Sequence, residues 1–202
     1  RAVHFPHRLR PMTARGSSAP VRTGPVHVRD ANMMVEVVGA NGPAFIWTHS
    51  MLSSREQEDH DGLFNWRGIV SQDWRWVRYD LRGHGASSGT TNVAAYSWRE
   101  AGRDLVELAN TLNIPRFAGG GASTGCAALL EAALEVPTRI DRLVLVLPPA
   151  AWEDRAPQAE AYQRQAAHLR SQGTHDWAEL MRGTARPPIL AAEPTLPGFQ
   201  PR

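Results

Sequence analysis

The strongest chemical signal lies mid-chain, in the pentapeptide Gly121-Ala122-Ser123-Thr124-Gly125, which fits G-x-S-x-G. A serine hydroxyl becomes a useful nucleophile when it projects from a sharp strand-to-helix turn, and this spacing suits such a turn. Gly121 and Gly125 leave room for the neighbouring strand and helix to close around a strained residue. The helix behind Ser123 would aim its first N–H groups, that of Thr124 among them, at a developing oxyanion. Two other chemistries use the same residues. Ser123 could simply cap the helix. Gly119 and Gly121 could open a phosphate-binding loop, but a dinucleotide fingerprint wants glycine where Thr124 stands. The next strand also ends in Pro148-Pro149, with no ribose-binding acid. No G-K-[ST] follows, which excludes a P-loop.

Other reactive types are sparse. Cys126 is the only cysteine, so no intrachain disulfide forms and cysteine-built zinc sites are excluded. This favours a reducing, cytoplasmic setting. Asp59-His60-Asp61 could suggest a metal pair. No third ligand is near in sequence, and a solvated loop before a helix is the expectation. No metal and no cofactor are expected.

The elements that must position the serine follow from hydropathy patterning. Residues 1–24, rich in Arg, Pro, Ser and Gly, are expected to be a disordered tail, with Met12 a candidate true start. Val26, Val28, Met34, Glu36 and Val38 alternate as half-buried strands, broken at Asp30-Ala31-Asn32 by a hairpin-like turn. Ala44-Phe45-Ile46-Trp47 reads as a buried strand, 63–72 as a helix, and Trp76, Val77 and Tyr79 as a strand. Trp98, Ala101, Leu105, Leu108 and Leu112 form one apolar stripe, so 97–113 is expected to be a helix ended by Asn113 and Pro115. A short strand at Arg116–Ala118 leads into the glycine turn, and a helix spans Thr124–Glu135. Leu143–Leu147 has the apolar continuity of a central parallel strand. The tail from Trp152 to Arg182 reads as amphipathic helix, and 183–202 as proline-rich. Strands alternating with helices give an α/β fold, a mostly parallel sheet with helices on both faces. The expected domains are a core over 25–150 and a helical cap segment with a proline-rich end over 151–202.

Composition narrows the partners. All 22 basic residues are arginine, and the formal net charge is +2. Six arginines fall in residues 1–30 against Asp30 alone, so the rest holds 22 − 6 = 16 arginines and 20 − 1 = 19 acids. A body so near neutrality does not fit a nucleic-acid binder. No apolar run reaches the roughly 18 residues of a membrane span. No secretory h-region is visible.

Three more stretches, in order, resemble the α/β-hydrolase superfamily. Asp80-Leu81-Arg82-Gly83-His84-Gly85-Ala86-Ser87 looks like its D-x-R-G-x-G-x-S turn after the fourth strand. Thr48-His49-Ser50-Met51-Leu52 lies where it places an H-G-x oxyanion turn, and Leu143–Leu147 is similar to its sixth strand, which precedes the cap. Ser50 stands where the H-G pair has glycine, as in the 3-oxoadipate enol-lactonase-like branch. The resemblance covers about residues 25–182. It implies Ser123 as nucleophile and the backbone N–H groups of Met51 and Thr124 as oxyanion donors. It implies a structural role for His49, which precedes Ser123 while the fold's base comes last, and a structural or solvated one for His84.

The resemblance also implies an acid after the seventh strand and a histidine after the eighth, but no strand-like run follows Leu147. His168 and His175 fall in the expected cap helices. Asp154, beside Glu153, follows the sixth strand, where a minority of the family place the acid. The expectation is a chain that stops within or just after the cap, with the base beyond residue 202 and little catalysis of its own. The expected activity is cleavage of a small ester or lactone through an acyl-enzyme. A perhydrolase or haloperoxidase-like enzyme using the same serine, and a non-catalytic protein binding a ligand or partner, are the alternatives. A dehalogenase would need aspartate at position 123. Oligomeric state is not legible.

Overall fold

The computed structural model describes residues 21–39, 42–62, 64, 73–149 and 155–173. They form two units, Arg1–Pro149 and Ala150–Arg202.

In the first unit, strand β1 (Val21–Val28) and β2 (Ala31–Val38) form an antiparallel hairpin around Arg29 and Asp30, with Arg29 at φ 56°. Among the described strands β1 pairs only with β2 and lies at the sheet edge, where Pro25 is tolerated because its missing N–H costs no second ladder. The strand starts at Val21, so residues 21–24 of the expected tail are paired backbone. Exposed Arg22 and Thr23 and half-buried Gly24 carry no apolar pattern, and edge pairing does not need one.

Next come β3 (Ala44–Thr48), helix α1 (Arg55–Asp61), β4 (Arg75–Tyr79), a 3-10 turn at Val93–Tyr96, α2 (Trp98–Thr111), β5 (Phe117–Ala122), α3 (Thr124–Glu135) and β6 (Ile140–Val146). The sheet order is β1-β2-β4-β3-β5-β6. β2 runs antiparallel to β4, and β4, β3, β5 and β6 are mutually parallel.

Side chains alternate across β3. Ile46 faces the main core with Val77, Tyr79, Leu105, Leu108, Phe117 and Leu129, which joins the sheet to α2 and α3. Each such fully buried leucine contributes about 2 kcal/mol. Phe45 and Trp47 face the other side, in a second cluster with Trp76 and Phe64. Helix α1 contacts that second face through ions. Arg78 of β4 pairs with Asp59 at 2.6 Å and with Glu36 at 2.8 Å, and the Trp47 indole donates to Glu58 at 2.9 Å.

Two expectations for the later elements of this unit need correction. Asp59-His60-Asp61 is not loop but the end of α1, which starts at the Ser54 N-cap and stops at Gly62 with φ 62°. The helix expected over 63–72 lies almost wholly outside the described residues. β6 is not buried on both faces: it is the last strand of the described sheet, and Val144 and Leu145 are 52% and 37% exposed.

The second unit contributes helix α4 (Arg155–Gln172). Its apolar residues are spread around the axis, so the expected amphipathic stripe is absent there. No described helix is long and apolar enough to cross a membrane.

Candidate active site

From β3 the chain crosses to β4 on one side. From β4 it returns through α2 to β5, on β3's other side. The connections leaving β3 and β5 therefore diverge, and in such sheets the crevice at the strands' carboxyl ends is where ligands bind. Two segments meet there: residues 49–54 after β3, and Ser123 after β5.

Ser123 sits between β5 and α3 with φ 48° and ψ −111°, a conformation that costs a non-glycine residue roughly 1–3 kcal/mol. It is half-buried, and its hydroxyl makes no capping hydrogen bond. The capping role, which would occupy that hydroxyl, is not the one it plays. Its backbone does the anchoring: Ser123 N–H donates to Val146 O at 3.0 Å, and Ser123 O accepts from Cys126 N–H at 2.9 Å. Thr124 thus precedes the first helical N–H that finds this acceptor, as first-turn donors do.

The flanking glycines mark close approaches. A Cβ on Gly121 would lie 2.7 Å from the Gly125 carbonyl carbon, and one on Gly125 would overlap Thr48 O. The head of α3 therefore rests directly on the end of β3, where Thr48 pairs with Gly121. Behind the turn, the buried Cys126 thiol donates to Gly121 O at 3.0 Å and Val146 O at 3.3 Å. Burial pushes that thiol up.

The segment after β3 is a tight turn, closed by Ser53 N–H on Ser50 O at 3.2 Å, with Leu52 at φ 61°. Met51 is 37% exposed on it. His49 is fully buried. Its Nε2 accepts from Leu81 N–H at 2.9 Å, so Nδ1 carries the proton, which it donates to Ser50 O at 2.7 Å. Burial pushes this imidazole down to about 4. A ring committed at both nitrogens and held neutral is not a base for Ser123.

The Asp80–Ser87 turn is accounted for by structure. The Asp80 carboxylate accepts from Arg55 N–H at 2.8 Å and Ala86 N–H at 3.1 Å. Arg82 forms a two-pronged pair with Asp104 of α2, both bonds 2.9 Å, and reaches Asp30 at 2.8 Å. Ser87 Oγ donates to Asp80 O and accepts from Met34 N–H. The His84 ring lies 5.4 Å from that of His49 and bonds Arg82 O.

The structure thus brings Ser123, Thr124, Gly121 and Gly125 together beside the turn bearing Met51. Asp154, Glu153 and His175 lie outside the described residues, and His168 is on α4 in the other unit. No metal-binding cluster occurs among the described residues. A cleft of about 400 Å³ is lined by Arg29, Asp30, Arg82, Asn92, Ser97 and Glu100, away from the serine.

One group was missed from sequence. Glu58 is 2% exposed, and burial, opposed by the Trp47 hydrogen bond, pushes its carboxyl up to about 7. Ser54-x-x-Gln57 was the available signal for this helix: Ser54 Oγ accepts from Gln57 N–H.

A family profile described as alpha/beta hydrolase fold matches residues 44–178. 3-Oxoadipate enol-lactonase 2 of Acinetobacter baylyi is 34% identical over 137 residues, covering 66% of this chain and 46% of the relative. The chain therefore spans about half the length of that curated relative. A hydrolase structure from Pseudomonas aeruginosa PA01 superposes with TM-score 0.67 at 28% identity, covering 85% of this chain and 62% of that one. Potato (Solanum tuberosum) epoxide hydrolase I superposes with TM-score 0.53 at 21% identity, covering 62% and 39%, a likeness of fold alone.

Proposed function

Since the chain belongs to the α/β-hydrolase-fold family, we propose that it carries the nucleophile and oxyanion donors of a serine hydrolase acting on a small ester or lactone. The observation that carries this reading is the strained, half-buried Ser123, with its hydroxyl unused, at the head of α3 and at the switch point of the sheet. The likeness to an enol-lactonase over 137 residues supports a lactone or simple ester as substrate.

Ser123 Oγ adds to the carbonyl carbon while a histidine base takes its proton. The carbonyl π pair moves onto oxygen, between the N–H groups of Met51 and Thr124. Each such donor lowers the barrier by about 3 kcal/mol. Collapse expels the alkoxide, which leaves as alcohol or, from a lactone, stays tethered as a hydroxyl. Water then cleaves the acyl-enzyme by the reverse path. The base of this reading is a histidine other than His49, whose two ring nitrogens are both committed elsewhere. Asp154 is the acid of this reading. No cofactor enters these steps.

The test is labelling of the full-length protein with a serine-reactive phosphonate, followed by peptide mass spectrometry. An adduct on the Ser123 peptide, lost in Ser123→Ala, is the expected result. An intact, folded protein without that adduct would sink the serine reading.

A further inference from the structure

We propose that Leu147 is a specificity-determining residue, an apolar wall beside Ser123 that selects substrates carrying a short uncharged chain next to the reacting carbonyl. The inference rests on the serine-hydrolase reading and narrows the substrate class of that same site.

β5 and β6 run parallel, with Gly121 opposite Leu145 and Ala122 opposite Val146. One step further along, that register sets Leu147 beside Ser123, on strands roughly 4.8 Å apart. A bond ties the two positions. Ser123 N–H donates to Val146 O at 3.0 Å, and the carbon of that carbonyl is joined to the Leu147 nitrogen. Leu147 is held at φ 50°, the left-handed region, where the Cβ of an L-residue crowds the following carbonyl. Pro148 adds a second conflict, because a residue before proline favours extended backbone. The side chain returns nothing to the core for this strain. It is 61% exposed and belongs to neither apolar cluster, whereas Leu143 and Val146 of β6 pack against one cluster each. Glycine would adopt this backbone freely, and asparagine more readily than leucine. A strained backbone that holds out an apolar side chain, one strand from a strained nucleophile, marks a side chain kept for what it meets. What suits it is a carbon chain; a substrate carboxylate set against it would lose water and gain no partner.

Two substitutions separate specificity from packing. Leu147→Gly removes the side chain, Leu147→Asn replaces it with a polar one, and both relieve the backbone. The full-length protein is assayed with p-nitrophenyl acetate and p-nitrophenyl butyrate. In both variants the ratio of kcat/KM, butyrate over acetate, is expected to fall about tenfold, the scale of a lost methylene contact. Activity on the acetate should change far less, and the melting temperature should stay at or above that of wild type. Leu134→Ala serves as control: Leu134 is 80% exposed near the far end of α3, and its loss should leave the ratio unchanged. If the ratio survives in both variants, or if both esters lose activity alike as the melting temperature falls, Leu147 serves packing and the inference is overturned. Phosphonate labelling of wild-type Ser123 tells the two failures apart. A labelled serine with these negative results overturns only the role of Leu147, and an unlabelled serine overturns both readings.

Discussion

Replacing Glu58 by glutamine should change how stability depends on pH. The Glu58 carboxyl is buried against Trp47 and is raised from 4.5 to about 7. A carboxyl raised in the folded state binds its proton more tightly folded than unfolded. Its contribution is therefore fully present below about pH 4.5 and is lost as pH rises through 7. A shift of about 2.5 units at 1.36 kcal/mol each makes the loss about 3 kcal/mol. The neighbouring charges are already part of this balance: Arg78 opposes the rise, and Asp59 and Asp80 add to it. In Glu58→Gln, Oε1 can still accept the indole N–H, while the amide does not ionise. Unsatisfied amide hydrogens would offset the variant's stability by a constant, and only the slope carries the test. Urea unfolding, followed by circular dichroism from about pH 4.5 to about pH 8.5, should show the variant gaining about 3 kcal/mol on wild type across that range. Parallel curves would refute the reasoning, because they would mean that Glu58 ionises as easily folded as unfolded.

His49 acts from the acid side. Its imidazole falls to about 4 in the folded protein, so stability present above about pH 6.5 is lost on going down to 4, by about 3 kcal/mol, and His49→Asn should flatten that limb in the same titration. Gly125→Ala forces a methyl onto the Thr48 carbonyl; thermal unfolding should show a loss above about 3 kcal/mol, and phosphonate labelling of Ser123 should slow with it. The Cys126 thiol is fully buried and pushed up, so its reaction with a disulfide reagent should proceed no faster than opening of the protein, and should accelerate in step with added urea.

The elements that were legible are those whose residues record what they pack against. The stripe through Leu105 and Leu108 announces a helix on the sheet, and the glycines around Ser123 announce a place where backbones touch. Helix α1 was invisible to the same reasoning, because Arg-Glu-Gln-Glu-Asp-His-Asp has no apolar face. It docks through Arg78, Asp59, Glu36 and the Trp47 indole, and ionic docking leaves no hydrophobic period. The run Leu143–Leu147 misled in the opposite direction. Apolar continuity shows that a strand suits a buried place, but not how many neighbours the described sheet gives it. Within the site, the serine turn is written in local sterics and could be read directly. The commitment of both His49 nitrogens depends on Leu81, 32 residues away, and required the fold.

The carbonyl of Val146 receives both the Ser123 N–H and the Cys126 thiol, so one of the Ser123 backbone bonds is a rung of the sheet's ladder onto β6. Within the described sheet β6 has a partner on one side only, and such strands fray at lower free energy than interior ones. Amide hydrogen exchange at Ser123 should therefore follow the opening of β6 rather than global unfolding.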